Sequence, residues 1–204
     1  MLVEIKNILQ KNINKNNRKR LTNTDPTLIC SNCTGGFLYH WLGLKFNSPF
    51  INLYLNPDDF VTMLENFEEF ISTPLKRKHS EKYPVGEGIL GIEVHFVHYK
   101  NWDQAYAIWE KRKKRIDRDN MGIMLTNWCD SYEVLKRFDK LPFKHKVVFT
   151  DKLYSEIKSS YYIKGLKIRE NRNLYATQYI TGKRYIDQFD YVKFINELKN
   201  EKEM

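Results

Sequence analysis

Two short stretches hold the residues best suited to chemistry. The first is Ser31-Asn32-Cys33-Thr34-Gly35-Gly36, directly after the apolar run Thr27-Leu28-Ile29-Cys30. Glycines after a strand permit positive φ and a close approach of backbone to a ligand. A helix opening there offers free N–H groups to an anion. Cys33 at that opening would be a nucleophile, because a helix N-terminus lowers a thiol pKa. The same position also suits a small residue in a tight turn. Ser31, Asn32, Gly35 and Gly36 are therefore ligand-binding candidates, and Cys33 is a catalytic one.

The second stretch is Ile92 to Tyr99. Glu93 and His95 are two apart in an extended segment, so they share a face, and His98 takes the other. A Glu–His pair does general acid–base work when the carboxylate orients the ring. The alternative is a satisfied polar pair that fixes strand register. Asp130 joins Glu93, His95 and His98 among the catalytic candidates. Thr126 and Arg112 join the ligand-binding ones. An arginine fork in the run Lys111 to Arg115 suits phosphate, although a cationic run also suits a solvated helix end. His40 falls seven residues after Cys33, on a helix surface or a cleft wall.

Several site types find no support. Cys30 and Cys33 have C-x-x-C spacing, but with Cys129 the only other cysteine a four-thiolate zinc site is impossible. Cys30 is expected to end a strand and face the core. Neither G-x-G-x-x-G nor G-x-x-x-x-G-K-[ST] occurs, so no dinucleotide or Walker site is expected. No metal and no cofactor is assigned.

These residues need a frame. Ile51–Leu55, Ile89–Tyr99, Met121–Thr126 and Lys146–Phe149 read as strands after the first at Thr27–Cys30. Between them lie helical patterns. Asn56-Pro57-Asp58-Asp59 opens one that carries Phe60, Met63, Leu64, Phe67 and Ile71. Asn101 with Gln104 opens another, with Trp102, Ala105, Tyr106 and Trp109 on one face, a pattern of core packing before sugar stacking. A third follows Asp130 and Glu133, and Lys183–Lys199 reads as a last helix. Alternation of this kind implies βαβ units, hence a three-layer, Rossmann-like α/β domain over residues 26–204 with a mainly parallel sheet. In such a sheet ligands bind beyond the carboxyl ends of the strands. Residues 154–182 are aromatic and basic with weak periodicity.

Residues 1–25 read as a short amphipathic helix and a polar linker. Its apolar face is expected to dock on the protein's own body, with peripheral contact to a membrane as the alternative. No apolar run is long enough to span a bilayer. No secretory signal is evident, and three cysteines form no disulfide framework, so a cytoplasmic location is expected. The net charge of +9 comes from 34 Lys+Arg against 25 Asp+Glu. A solvated basic surface accounts for it. The aromatics fall at core spacing and no nucleic-acid motif appears, so nucleic acid is not an expected partner. The oligomeric state is not legible.

The chain resembles the bacterial family known as domain of unknown function 1919, often labelled as exopolysaccharide biosynthesis proteins. The resemblance runs from about Leu28 to Thr150. It is carried by Ser31 to Gly36, Asn47-Ser48-Pro49, Asn56 to Asp59, Tyr83-Pro84-Val85-Gly86, Ile92 to Tyr99, Trp109 to Ile116 and Arg137 to Pro142. Where the family pattern has tryptophan between the cysteine and the glycine pair, this chain has Thr34. The resemblance implies an α/β fold and a glycosyl or acyl transferase acting on a sugar or nucleotide sugar in surface-polysaccharide assembly. It transfers no catalytic residue. The alternatives are a Cys33-dependent hydrolase and a non-enzymatic accessory protein that binds a glycan or a partner.

Overall fold

A computed structural model describes residues 2–126, 131–167, 173–176 and 181–199. The centre is a four-stranded, wholly parallel sheet. Its strands are β1 (Thr27–Cys30), β5 (Met121–Thr126), β6 (Lys146–Thr150) and β7 (Ser160–Tyr162), in the spatial order β1-β5-β6-β7. Between β1 and β5 the chain forms α2 (Thr34–Leu42), α3 (Pro57–Glu65), α4 (Phe67–Ser72) and α5 (Trp102–Lys113). It also forms a small antiparallel sheet there, from β2 (Lys76–Lys78), β3 (Val85–Glu87) and β4 (Glu93–His95). Helix α6 (Tyr132–Lys140) joins β5 to β6. Helix α1 (Leu2–Arg20) precedes the sheet and α7 (Tyr191–Asn196) follows it.

Side-chain alternation along the strands divides the core into two. Ile29, Ile123, Leu125 and Val148 face one layer, with apolar residues of α3, α4, α5 and α6. Leu28, Cys30, Met124, Val147 and Phe149 face the other, with α2 and α7. Period-two alternation makes a sheet buried on both sides the middle of three layers. Trp109 anchors the first layer at 1% exposure, with Phe50, Phe70 and Phe96 edge-on at 5.3, 6.4 and 6.0 Å. Each such contact adds about 0.5–1.5 kcal/mol beyond area burial, so the tryptophan is a core residue.

The ends of the chain are sewn together. Asn17 donates to the Tyr191 hydroxyl at 2.7 Å, and Arg18 donates to the Trp41 carbonyl at 2.7 Å. Arg184 is buried, paired with Asp187 at 2.9 Å, bonded to Asn14 at 2.9 Å and stacked 3.5 Å over Trp41. Helix α1 thus docks on α2 and α7. It also runs on to Arg20, through the stretch expected to be linker.

Four expected elements differ. Ile51–Leu55 bends at Ile51-Asn52 and is no sheet strand, and only Tyr54 bridges to His95. The long third strand is cut to Glu93–His95 and belongs to the small sheet, so His98 does not follow a strand of the parallel sheet. The helix after Asn56 breaks at Asn66 into α3 and α4; Asn66 there takes a non-helical φ of −122° and its side chain bonds back to the Thr62 carbonyl. The final helix starts late, because Tyr185–Gln188 forms a 3₁₀ turn before α7.

Candidate functional site

The turn after β1 is built by its own polar side chains. The Ser31 hydroxyl accepts from the Thr126 backbone N–H at 3.2 Å, locking β1 to β5 at their carboxyl ends. Asn32 accepts from the Thr34 N–H at 3.0 Å and so shapes the turn into α2. Ser31, Asn32 and Thr126 are all buried. Gly35 is packed so tightly that an added Cβ would lie 2.7 Å from Cys30 Sγ. Those four candidates position the site rather than line it.

Cys33, Gly36 and His98 do converge. They line a cleft of about 230 Å³ with Phe37, His40, Phe46 and Asn52. Cys33 is the N-cap of α2 and Gly36 lies in its first turn, while Phe37 and His40 follow on the exposed side of that helix. Asn52 holds a φ of 60°, a left-handed conformation that aspartate and asparagine tolerate better than other side-chain residues. Its side-chain oxygen would sit 3.3 Å from a Cβ on Gly36, so the glycine leaves room for it.

Aromatic rings frame the cleft. Phe37 packs on Tyr175 at 4.4 Å and on Trp41 at 5.5 Å. Burial raises the Tyr175 hydroxyl pKa, and a charge on Cys33 would raise it further. On the far side Phe46 is braced from behind. The Arg112 guanidinium lies 5.0 Å from its ring centroid, and Arg115 donates to its carbonyl at 2.8 Å. Arg112 also donates to the Tyr99 hydroxyl at 3.0 Å, which in turn bonds the Ile51 carbonyl at 3.2 Å. Arg112 is therefore a brace of the wall and does not line the cleft.

The thiol differs from expectation. Burial raises the Cys33 pKa, and its Sγ lies 3.9 Å from the Leu53 carbonyl, so the resting group is a protonated thiol. Desolvation outweighs the pull of the helix N-terminus. Cys30 is wholly buried and its thiol is pushed up to about 12. A nucleophilic Cys33 would need a base, and His40 and His98 line the same cleft.

Glu93 and His95 form a separate group. Their side chains meet at 3.3 Å, as the shared face of an extended segment requires. Lys78 bonds Glu93 and holds its carboxyl below the usual range. His95 sits between the rings of Tyr54 and Tyr83, each 5.8 Å away. Asp59, in the first turn of α3, joins them. Burial raises its pKa, against a hydrogen bond from the Glu93 backbone and the pull of His95. Neither Glu93 nor His95 lines the Cys33 cleft. Asp130 lies outside the described residues. Among the described residues no group of three His, Cys, Asp or Glu side chains is placed to hold a metal.

Sequence reasoning missed Asn52, Phe37, Phe46 and Tyr175 as site residues. A signal existed for Phe37, which shares the exposed side of α2 with His40 and follows Cys33 by four residues. None existed for Tyr175, which comes from a segment without periodicity.

No helix among the described residues is long and apolar enough to cross a membrane. The chain is 43% identical over 188 residues to a protein of Haemophilus influenzae (strain ATCC 51907 / DSM 11121 / KW20 / Rd) named "Uncharacterized protein", with 90% of each chain covered. The family model described as "Domain of unknown function (DUF1919)" matches residues 4–196, nearly the whole of the structure just described, from α1 to α7. The Cys33 turn, the small sheet and the docked terminal helices thus lie within one matched unit, and the chain belongs to the DUF1919 family.

Proposed function

We propose that the chain is a group transferase acting on a sugar or activated-sugar substrate in bacterial surface-polysaccharide assembly, with the Cys33 cleft as its site. The observation that carries this reading is the convergence of a thiol, two imidazoles and aromatic walls beyond the carboxyl end of β1. Aromatic faces accept the apolar face of a sugar ring, since they bury area and leave hydroxyls free. A histidine beside them is placed to take a proton from a sugar hydroxyl.

Of the two transferase chemistries, acyl transfer makes fuller use of the thiol. One of the histidines, His98 or His40, takes the Cys33 proton, and the thiolate attacks the acyl carbonyl. The donor's leaving group departs with that proton, leaving a thioester. The sugar hydroxyl then attacks, its proton passes to the histidine, and Cys33 is released. The same geometry would serve a Cys33-dependent hydrolase if water replaced the sugar.

The test is thermal stability against a panel of nucleotide sugars and acyl-CoA. A ligand at about 100 times its dissociation constant adds about 2.7 kcal/mol. A shift with one ligand, abolished in Phe37→Ala, supports the reading, and turnover should then vanish in His98→Gln or in His40→Gln, whichever histidine is the base. The accessory-protein alternative has one observation in its favour: the cleft, about 230 Å³, falls below the roughly 300–1,000 Å³ usual for small-molecule pockets. No shift with any ligand would favour it.

A further inference from the structure

A second cleft lies where the β2–β3 hairpin meets the start of α5. It measures about 290 Å³ and is larger than the Cys33 cleft. Its lining is basic: Arg77, Lys78 and Lys82 come from the hairpin together with His79, and Lys100 comes from the loop before α5. Glu81 is the one carboxylate among the lining residues. Lys78 is already paired with Glu93 and Glu87. Arg77, Lys82 and Lys100 make no ion pair among the described residues.

Three unpaired cations from two separate elements repel one another across a shared cavity. Strand register fixes the backbone at Arg77, which sits opposite Gly86, next to Lys78 opposite Val85. The small residue at 86 lets this sheet lie against Trp102, whose ring would stand 3.2 Å from a Cβ there. Packing thus fixes the strand that carries Arg77, and a multiply charged anion would relieve the repulsion among the exposed cations. Guanidinium and ammonium groups bond phosphate oxygens by charge-assisted hydrogen bonds, the stronger class of such bonds. Net of Glu81 the three cations leave about two positive charges, and the two phosphoryl groups of a diphosphate meet them with one charge each, from both elements at once.

We propose that this basic cleft binds the diphosphate group of a small ligand. It shares no lining residue with the Cys33 cleft and stands independently of the transferase reading.

The experiment is isothermal titration of the full chain with inorganic pyrophosphate, and with orthophosphate at matched ionic strength. Pyrophosphate is expected to bind at least about tenfold more tightly than orthophosphate, and the triple variant Arg77→Ala, Lys82→Ala, Lys100→Ala should lose at least about tenfold in that affinity. All three side chains are exposed, so the variant should keep its fold, which its urea midpoint checks. The single reversal Lys100→Glu gives a second reading and should weaken pyrophosphate binding in the same direction. Equal affinity for the two anions would overturn the proposal, as would undiminished binding by both variants or no binding at all. The Cys33→Ser chain should bind pyrophosphate as the wild type does, so a failed transferase assay leaves this result standing.

Discussion

Arg112 lies face-on to Phe46, its guanidinium carbon 5.0 Å from the ring centroid, and the same side chain bonds the Tyr99 hydroxyl. One cation thus holds a wall of the Cys33 cleft to the loop that precedes α5. Arg112→Ala removes a cation–π contact and a hydrogen bond and should cost about 1–3 kcal/mol in urea unfolding. Arg112→Lys should recover little of this, since an ammonium lacks the planar fork. Full recovery by lysine would mean that charge alone matters there.

Gly35 and Cys30 are tightly matched. A Cβ at position 35 would stand 2.7 Å from the buried Cys30 sulfur. Gly35→Ala should therefore destabilise the chain by about 1–3 kcal/mol through overpacking. In the Cys30→Ala background the same change should cost clearly less, because the sulfur is gone. A double-mutant cycle measures the coupling, and strict additivity would show that the clash is relieved elsewhere.

The left-handed backbone at Asn52 separates two roles. Asn52→Gly keeps the φ of 60° without strain and should change stability by less than roughly 1 kcal/mol, while Asn52→Val should cost about 1–3 kcal/mol. If the side chain serves the ligand, Asn52→Gly should also lose the thermal shift that the wild type shows. A stable Asn52→Val chain would remove backbone conformation as the reason for asparagine there.

Alkaline pH should weaken the fold through its thiols. Burial pushes Cys30 up to about 12 and raises Cys33 in the same direction. The folded chain thus holds these protons more tightly than the unfolded chain, whose thiols titrate near about 8.5. Stability is complete below that value and is lost as pH rises from it towards about 12. The urea midpoint should fall between about pH 8 and about pH 10, and the fall should shrink in Cys30→Ala. The shifted Cys33 also predicts slow alkylation by iodoacetamide at neutral pH. Alkylation faster than in the urea-unfolded chain would mean that a base already holds the thiolate.

Much of the fold was legible because its signals are local. The strand Thr27–Cys30, the Asn56-Pro57 and Asn101 helix starts and the run Met121–Thr126 each carry their own cap or apolar pattern. The pairing of Glu93 with His95 followed from period two alone. What stayed hidden depends on contacts distant in sequence. Ile51–Leu55 has the composition of a strand, yet instead of a ladder it makes scattered bonds, among them Leu55 to the Ser31 carbonyl, the Tyr99 hydroxyl to the Ile51 carbonyl and the single bridge at Tyr54. Strand β7 carries Ser160-Tyr161-Tyr162, a pattern without alternation, and owes its place to pairing with β6. For the candidate site, the turn after β1 was legible from its glycines and cysteine, and Cys33 and Gly36 line the cleft there. The division of labour within it was not, because only the structure shows that the Ser31 and Asn32 side-chain oxygens accept from the backbone N–H groups of Thr126 and Thr34.

The stitching of α1 to the last described elements bears on the order in which the chain matures. Asn14, Asn17 and Arg20 find their partners at Arg184, Tyr191 and Asp190. During synthesis from the N-terminus, the first helix emerges long before anything it can bind. Most of a protein helix's stability comes from packing its apolar face, and until then α1 lacks its partners. The layer formed by α2 must likewise wait for α7 to cover the sheet. Closure of that side is thus a late event of high contact order, and such events are slow. A nascent chain halted before residue 184 would hold the α3–α6 side of its sheet packed and the other side bare, a species for chaperones to shield until the tail arrives.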